Sequence, residues 1–142
     1  MSQPIANFKE EQSAKIPALA LLTHLGYQFI PTSECSIQRG RLSTVILPKV
    51  LREVLSKKTF SFMGKDHPLS AASIDKIVHE LASPAMNEGL KAANEKIYNI
   101  LTYGIDVTEF IDGKKASPTI QIIEWEKPER NVFHFTEELK VE

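Results

Sequence analysis

Asn94-Glu95-Lys96-Ile97-Tyr98-Asn99-Ile100-Leu101-Thr102-Tyr103-Gly104 decides how the chain is read. With Leu90 and Ala93 just upstream, Ile97, Ile100 and Leu101 recur at three- and four-residue spacing, so they predict the apolar stripe of a helix. Gly104 supplies its stop. Beyond it the period falls to two. Strands are expected over Ile105–Ile111 and Thr119–Glu126, joined by Asp112-Gly113-Lys114-Lys115, a hairpin-type turn. A second turn at Lys127-Pro128-Glu129-Arg130 leads into an extended segment over Asn131–Val141.

Upstream the pattern is helical. Asn7 with Glu10 three residues later reads as an N-cap and capping box. Ala14, Ala18, Leu19, Leu21, Leu22 and Leu25 then share one side of a first helix that Gly26 ends. Pro17 removes a backbone donor, which predicts a kink or a restart there. Tyr27–Ile30 reads as extended, Thr32–Ser43 as a polar loop, and Lys57–Pro68 as a connector. Pro48 opens a second helix at its first turn. Ser70 caps a third helix with Ile74, Ile77, Val78 and Leu81 on its apolar side, and Ser83-Pro84 breaks it. Helices first and an antiparallel meander last make an α+β arrangement, and 142 residues predict one domain over 1–142.

Composition bounds the function. A net charge of -1 gives no global attraction to phosphate, so any nucleic-acid contact has to be local. The single cysteine, Cys35, cannot close an intrachain disulfide and points to a reducing cytoplasm. The first residues show no secretory signal. The longest apolar run, Ile16–Leu22, falls far short of the roughly 20 residues a membrane span needs.

Among the polar residues, Glu11 falls within the Ala18, Leu22 and Leu25 stripe, where an ionised carboxylate is costly unless paired or metal-bound. An ion pair with Lys15 is its plain explanation. Asn94 is an amide within the fourth helix's stripe, expected to bond backbone. His24, His67, His79 and His134 lack metal-ligand spacing. No nucleophile elbow, phosphate loop or dinucleotide fingerprint occurs. Arg39, Arg41 and Lys57 would form a DNA-facing patch if the fold brought them together. Glu138-Leu139-Lys140 has the Glu-x-Lys spacing of metal-dependent nucleases, but no Pro-Asp precedes it at hairpin distance, so it reads as a solvated strand end.

The order Phe8-Lys9-Glu10-Glu11, Leu25-Gly26-Tyr27, Asn94-Glu95-Lys96-Ile97, Leu101 with Gly104, Trp125 to Pro128 and Asn131-x-Phe133 resembles the N-terminal nuclease region of the type I restriction enzyme R (restriction and motor) subunit. The resemblance spans Phe8 to Val141, departing at Glu124, where the family usually carries Asp. It implies a partial PD-(D/E)xK restriction-endonuclease-like fold. The parent would be an ATP-dependent endonuclease that cuts double-stranded DNA with Mg²⁺, in complex with methylation and specificity subunits. It also implies that the main metal-binding carboxylates and the ATP motor lie beyond Glu142, leaving Glu11 as the one acid carried over, a catalytic and metal-site candidate. A piece of this kind is expected to be inactive alone, with a bare strand edge near Ile122 or Phe133. The competing expectation is a standalone, non-catalytic protein-interaction module with closed edges. A small DNA-binding domain is the third reading.

Overall fold

A computed structural model describes residues 11–41 and 43–140, excluding the side chains of Glu11 and Gln12. The expected Asn7–Glu10 capping box lies outside these residues. The chain divides into two units: residues 1–35 with 132–139, and residues 36–131 with 140–142.

In the first unit, one π-helical turn, Glu11–Lys15, runs into helix α1, Ile16–His24. Pro17 sits at the start of α1, so the helix restarts there, where a missing N–H costs nothing. The apolar positions do not make a buried stripe: no residue of α1 is buried. After Gly26 the chain enters strand β1, Gln28–Phe29. It pairs in parallel with the last strand, His134–Phe135. The Gln28 and Ile30 N–H groups donate to the Phe133 and Phe135 carbonyls at 2.8 and 2.9 Å. Tyr27 stacks on Phe133 at 5.1 Å and Phe29 packs on Phe135 at 5.3 Å. The expected antiparallel meander strand over Asn131–Val141 is therefore this short parallel partner of β1.

The polar stretch read as a loop is instead helix α2, Thr32–Arg39. Its apolar content is small, but Cys35 is only 1% exposed and anchors it, so the thiol is a packing group and not a loop thiol. Helix α3, Pro48–Ser56, has Pro48 in its first turn as expected. The segment read as a connector is a β-hairpin: β2, Thr59–Phe62, pairs antiparallel with β3, Lys65–Pro68. Met63 and Gly64 form its two-residue turn, both with positive φ, as a type I′ turn requires. Helix α4, Ala71–Ala82, is capped by Ser70, whose side chain accepts from the Ser73 N–H at 3.2 Å.

Helix α5, Leu90–Tyr103, is where the opening stretch predicts it, with Ala93 and Ile100 buried. Asn94 is exposed and not on the core face. Gly104 ends α5 at φ +89, and a Cβ there would lie 2.7 Å from the Ile120 carbonyl oxygen. The helix can meet the sheet this closely only through glycine.

The hairpin that follows turns at Asp112-Gly113, as expected, but its second arm begins at once with Lys114. β4, Ile105–Asp106, pairs with β7, Thr119–Ile120, and β5, Glu109–Ile111, with β6, Lys114–Ala116. One register runs through both pairs, and the Val107 N–H donates to the Pro118 carbonyl between them. Pro118 has no N–H to return, so the ladder is interrupted there. Past Ile120 the chain leaves the sheet, and Ile122–Glu126 is not a strand. The Asn131 side chain both accepts from the Glu124 N–H, at 2.9 Å, and donates to its carbonyl, at 3.0 Å. One amide thus replaces a strand neighbour. A 3₁₀ turn, Pro128–Arg130, leads into β8, His134–Phe135.

Leu55, Phe60, Leu69, Ile77, Val78, Leu81, Ile100, Val107, Ala116 and Ile120 form the core of the second unit. Ion pairs tie its helices outside that core: Arg52 with Asp75, and Lys96 with Glu80 at 2.6 Å. This is an α+β fold, with five α-helices and short strand pairs among the described residues.

Candidate functional site

Glu11 opens the π-helical turn; its side chain lies outside the described residues. Lys15, the cation one turn on, pairs with Glu137 at 2.8 Å and Glu138 at 3.2 Å. The hydrogen bonds that Lys15 donates to these two carboxylates raise its pKa above the ordinary lysine value. Glu138 of the Glu-x-Lys triplet is solvated, as expected, but it sits at φ +48 and not in a strand.

Arg39 is buried, and its guanidinium donates from Nε to the Thr44 carbonyl and from Nη1 to the Lys140 carbonyl at 2.6 Å. Those bonds close the loop after α2. Arg41 is exposed, and Lys57 is exposed and pairs with Glu53 one helical turn earlier at 3.5 Å.

Two features escaped sequence reasoning. Glu109, on β5, is a carboxylate only 5% exposed. It accepts from the Ser70 N–H at 2.9 Å and the Ser70 hydroxyl at 3.0 Å, at the N-terminus of α4. Burial pushes its pKa up, but hydrogen bonds from Ser73 and Ser70 outweigh that and hold it below the usual glutamate value. The helix dipole favours the same charged form. The acid is fully occupied as a bracket between strand and helix.

The second is a cleft of about 260 Å³ lined by Phe62, Met63, Lys65, His67, Ile111, Asp112 and Lys114. It lies at the tips of the two hairpins. Phe62 pairs with Lys65 across one turn and Ile111 with Lys114 across the other. The signal was legible: Phe62-Met63-Gly64-Lys65 and Ile111-Asp112-Gly113-Lys114 share the pattern apolar, x, Gly, Lys. Met63 and Asp112 both take φ +51. The His67 ring lies 5.7 Å from Phe60 and 6.5 Å from Phe62.

Among the described residues no group of three or more His, Cys, Asp or Glu could hold a metal ion. No helix among them is long and apolar enough to cross a membrane.

An α+β fold with these elements defines a scaffold more than a chemistry. The sequence specifies it further: the family model for the type I restriction enzyme R protein N terminus matches residues 7–142, and the chain belongs to that family. No curated protein and no solved structure matches it.

Proposed function

We propose that this chain is part of the DNA-cleaving region of a type I restriction R subunit, on a partial PD-(D/E)xK scaffold. The observation that carries the reading is family membership over residues 7–142. The parent would hydrolyse phosphodiesters of double-stranded DNA with Mg²⁺, driven by ATP and in complex with methylation and specificity subunits, in the cytoplasm. By the family resemblance, the other Mg²⁺ ligands and the ATP site would belong to other parts of the parent. Glu11 is the one acid here assigned to the metal site. Arg41 and Lys57 are the exposed cations assigned to DNA, while Arg39 serves the loop that it closes. A single acid cannot assemble in-line phosphodiester hydrolysis, so the chain by itself is inactive.

The test is DNA cleavage by the complete R subunit, assembled with its partner subunits, Mg²⁺ and ATP. Glu11→Ala should lower cleavage at least about a hundredfold, the scale of a catalytic carboxylate, and leave ATP hydrolysis unchanged. Unchanged cleavage would remove Glu11 from the site. Mg²⁺-dependent cutting by the 142-residue chain alone would overturn the fragment reading.

The bare apolar surface of the first unit, with Ile16, Leu21, Leu25 and Phe29 exposed, is what the fragment reading expects; the second reading is a standalone protein-interaction module. It predicts a complex with a protein partner and no effect of Glu11→Ala on cleavage.

A further inference from the structure

The two hairpin tips present the same chemistry to one space. Each turn carries a lysine immediately after its glycine, opposite an apolar residue, and both lysines line the cleft. Among the described residues, neither the Lys65 nor the Lys114 ammonium has a carboxylate within 4.0 Å. The Lys114 ammonium instead approaches the Met63 sulfur at 3.9 Å. Elsewhere in this unit, Arg52, Lys57, Lys58 and Lys96 are each matched to an acid. Among the described residues, Lys91, Lys115 and Lys127 likewise have no carboxylate within 4.0 Å, so what sets Lys65 and Lys114 apart is that both line one cleft.

The cleft's apolar walls, Phe62 and Ile111, strengthen a charge contact by lowering the local dielectric. Met63, 71% exposed at the tip of the first turn, adds apolar surface to the same lining. Among the described residues, Asp112 is the only acid lining the cleft, so the site is positive toward its two lysines and not throughout.

We propose that the cleft between the two hairpin tips is a phosphate-binding site, with Lys65 and Lys114 as its cationic arms and His67 as a third polar contact. Lysine ammonium groups are point charges with three donors each, suited to tetrahedral oxyanions without demanding one geometry. The favoured source is the backbone of duplex DNA laid across the tips. That source rests on the restriction-subunit reading, whereas the phosphate chemistry does not.

The experiment follows backbone amide resonances of the chain during titration with inorganic phosphate and, separately, with a short DNA duplex. Duplex should move the amides around Met63-Gly64 and Asp112-Gly113. The double variant Lys65→Ala/Lys114→Ala should weaken duplex binding about tenfold and reduce the salt slope by about 1.8, the loss of two phosphate contacts. Lys65→Arg/Lys114→Arg should retain binding, which shows that charge and not folding was lost. Phosphate moving the tips while duplex leaves them still supports the site and overturns its DNA source. No movement with either probe overturns the proposal. So does an equal loss from the control pair Lys91→Ala/Lys127→Ala, two lysines away from the cleft, which would reduce the tips to diffuse surface charge. DNA cleavage by the complete R subunit with a cleft blind to both probes would sink this inference and spare the functional reading. A responsive cleft in a protein that never cuts DNA would do the reverse.

Discussion

Glu109 shows what a single side chain does here and why its sequence position conceals it. It sits in a strand, an ordinary place for a solvated glutamate, and its partners lie at Ser70 and Ser73. No local pattern links residues that far apart. Replacing it with Gln keeps the shape but removes the charge that the Ser70 N–H and the α4 dipole favour, so Glu109→Gln should cost about 2 kcal/mol at neutral pH. The sign with pH follows from the depressed pKa. Its contribution is complete above the ordinary value of 4.5 and is lost as pH falls through the lower folded-state value. Urea unfolding of both proteins at neutral pH and in acid should show the gap closing as Glu109 is protonated. A gap that stays constant into acid would mean that the charge contributes nothing. Glu80, held below its ordinary value by the Lys96 hydrogen bond against a smaller effect of burial, loses stability in the same direction. Arg39 follows the same logic as Glu109: its charge was legible, its two carbonyl partners were not.

Among the elements, those defined by strong local signals were readable. The α5 stripe and the Asp112-Gly113 turn stand where periodicity and turn chemistry put them. The misses are elements whose signals are weak or whose reward is distant. Helix α2 has a polar sequence that looks like a loop, and its packing rests on Cys35. The β2–β3 hairpin hides behind Met63, a residue not expected at a left-handed turn position, although Thr59-Phe60-Ser61-Phe62 alternates as a strand should. Parallel pairing of β1 with β8 joins chain segments about a hundred residues apart, which no short-range rule reaches. Gly104 marks the junction where readable and unreadable meet. Its role as a helix stop was plain, but its approach to β7 was not. Gly104→Ala would place a methyl 2.7 Å from the Ile120 carbonyl oxygen, in a backbone conformation that L residues avoid. Cost from the two effects should be about 2–4 kcal/mol. A thermal melt checks this, since a change of that size lowers Tm by several degrees or more. A variant melting with the wild type would mean that the helix end shifts freely away from β7.

At the scale of the whole molecule, apolar surface is unevenly covered. The second unit buries a contiguous core. In the first, α1 is apolar on several sides and buries no residue, with Leu21 at 57% and Leu25 at 62% exposure. A helix that is hydrophobic around its circumference is ordinarily enclosed, and contiguous bare patches of this kind attract apolar probes or other chains. Leu21 and Leu25 lie one turn apart and form a single ridge. Leu21→Ser/Leu25→Ser should therefore cut the binding of an apolar fluorescent dye by about half and reduce self-association in sedimentation. Because neither side chain is buried, folding stability should change by less than about 1 kcal/mol in total. Unchanged dye binding would place the accessible apolar surface elsewhere, around Trp125 and Phe110, which are also exposed. A large loss of stability would instead show that the ridge is packed in solution, and the fragment reading would lose the bare surface that it expects.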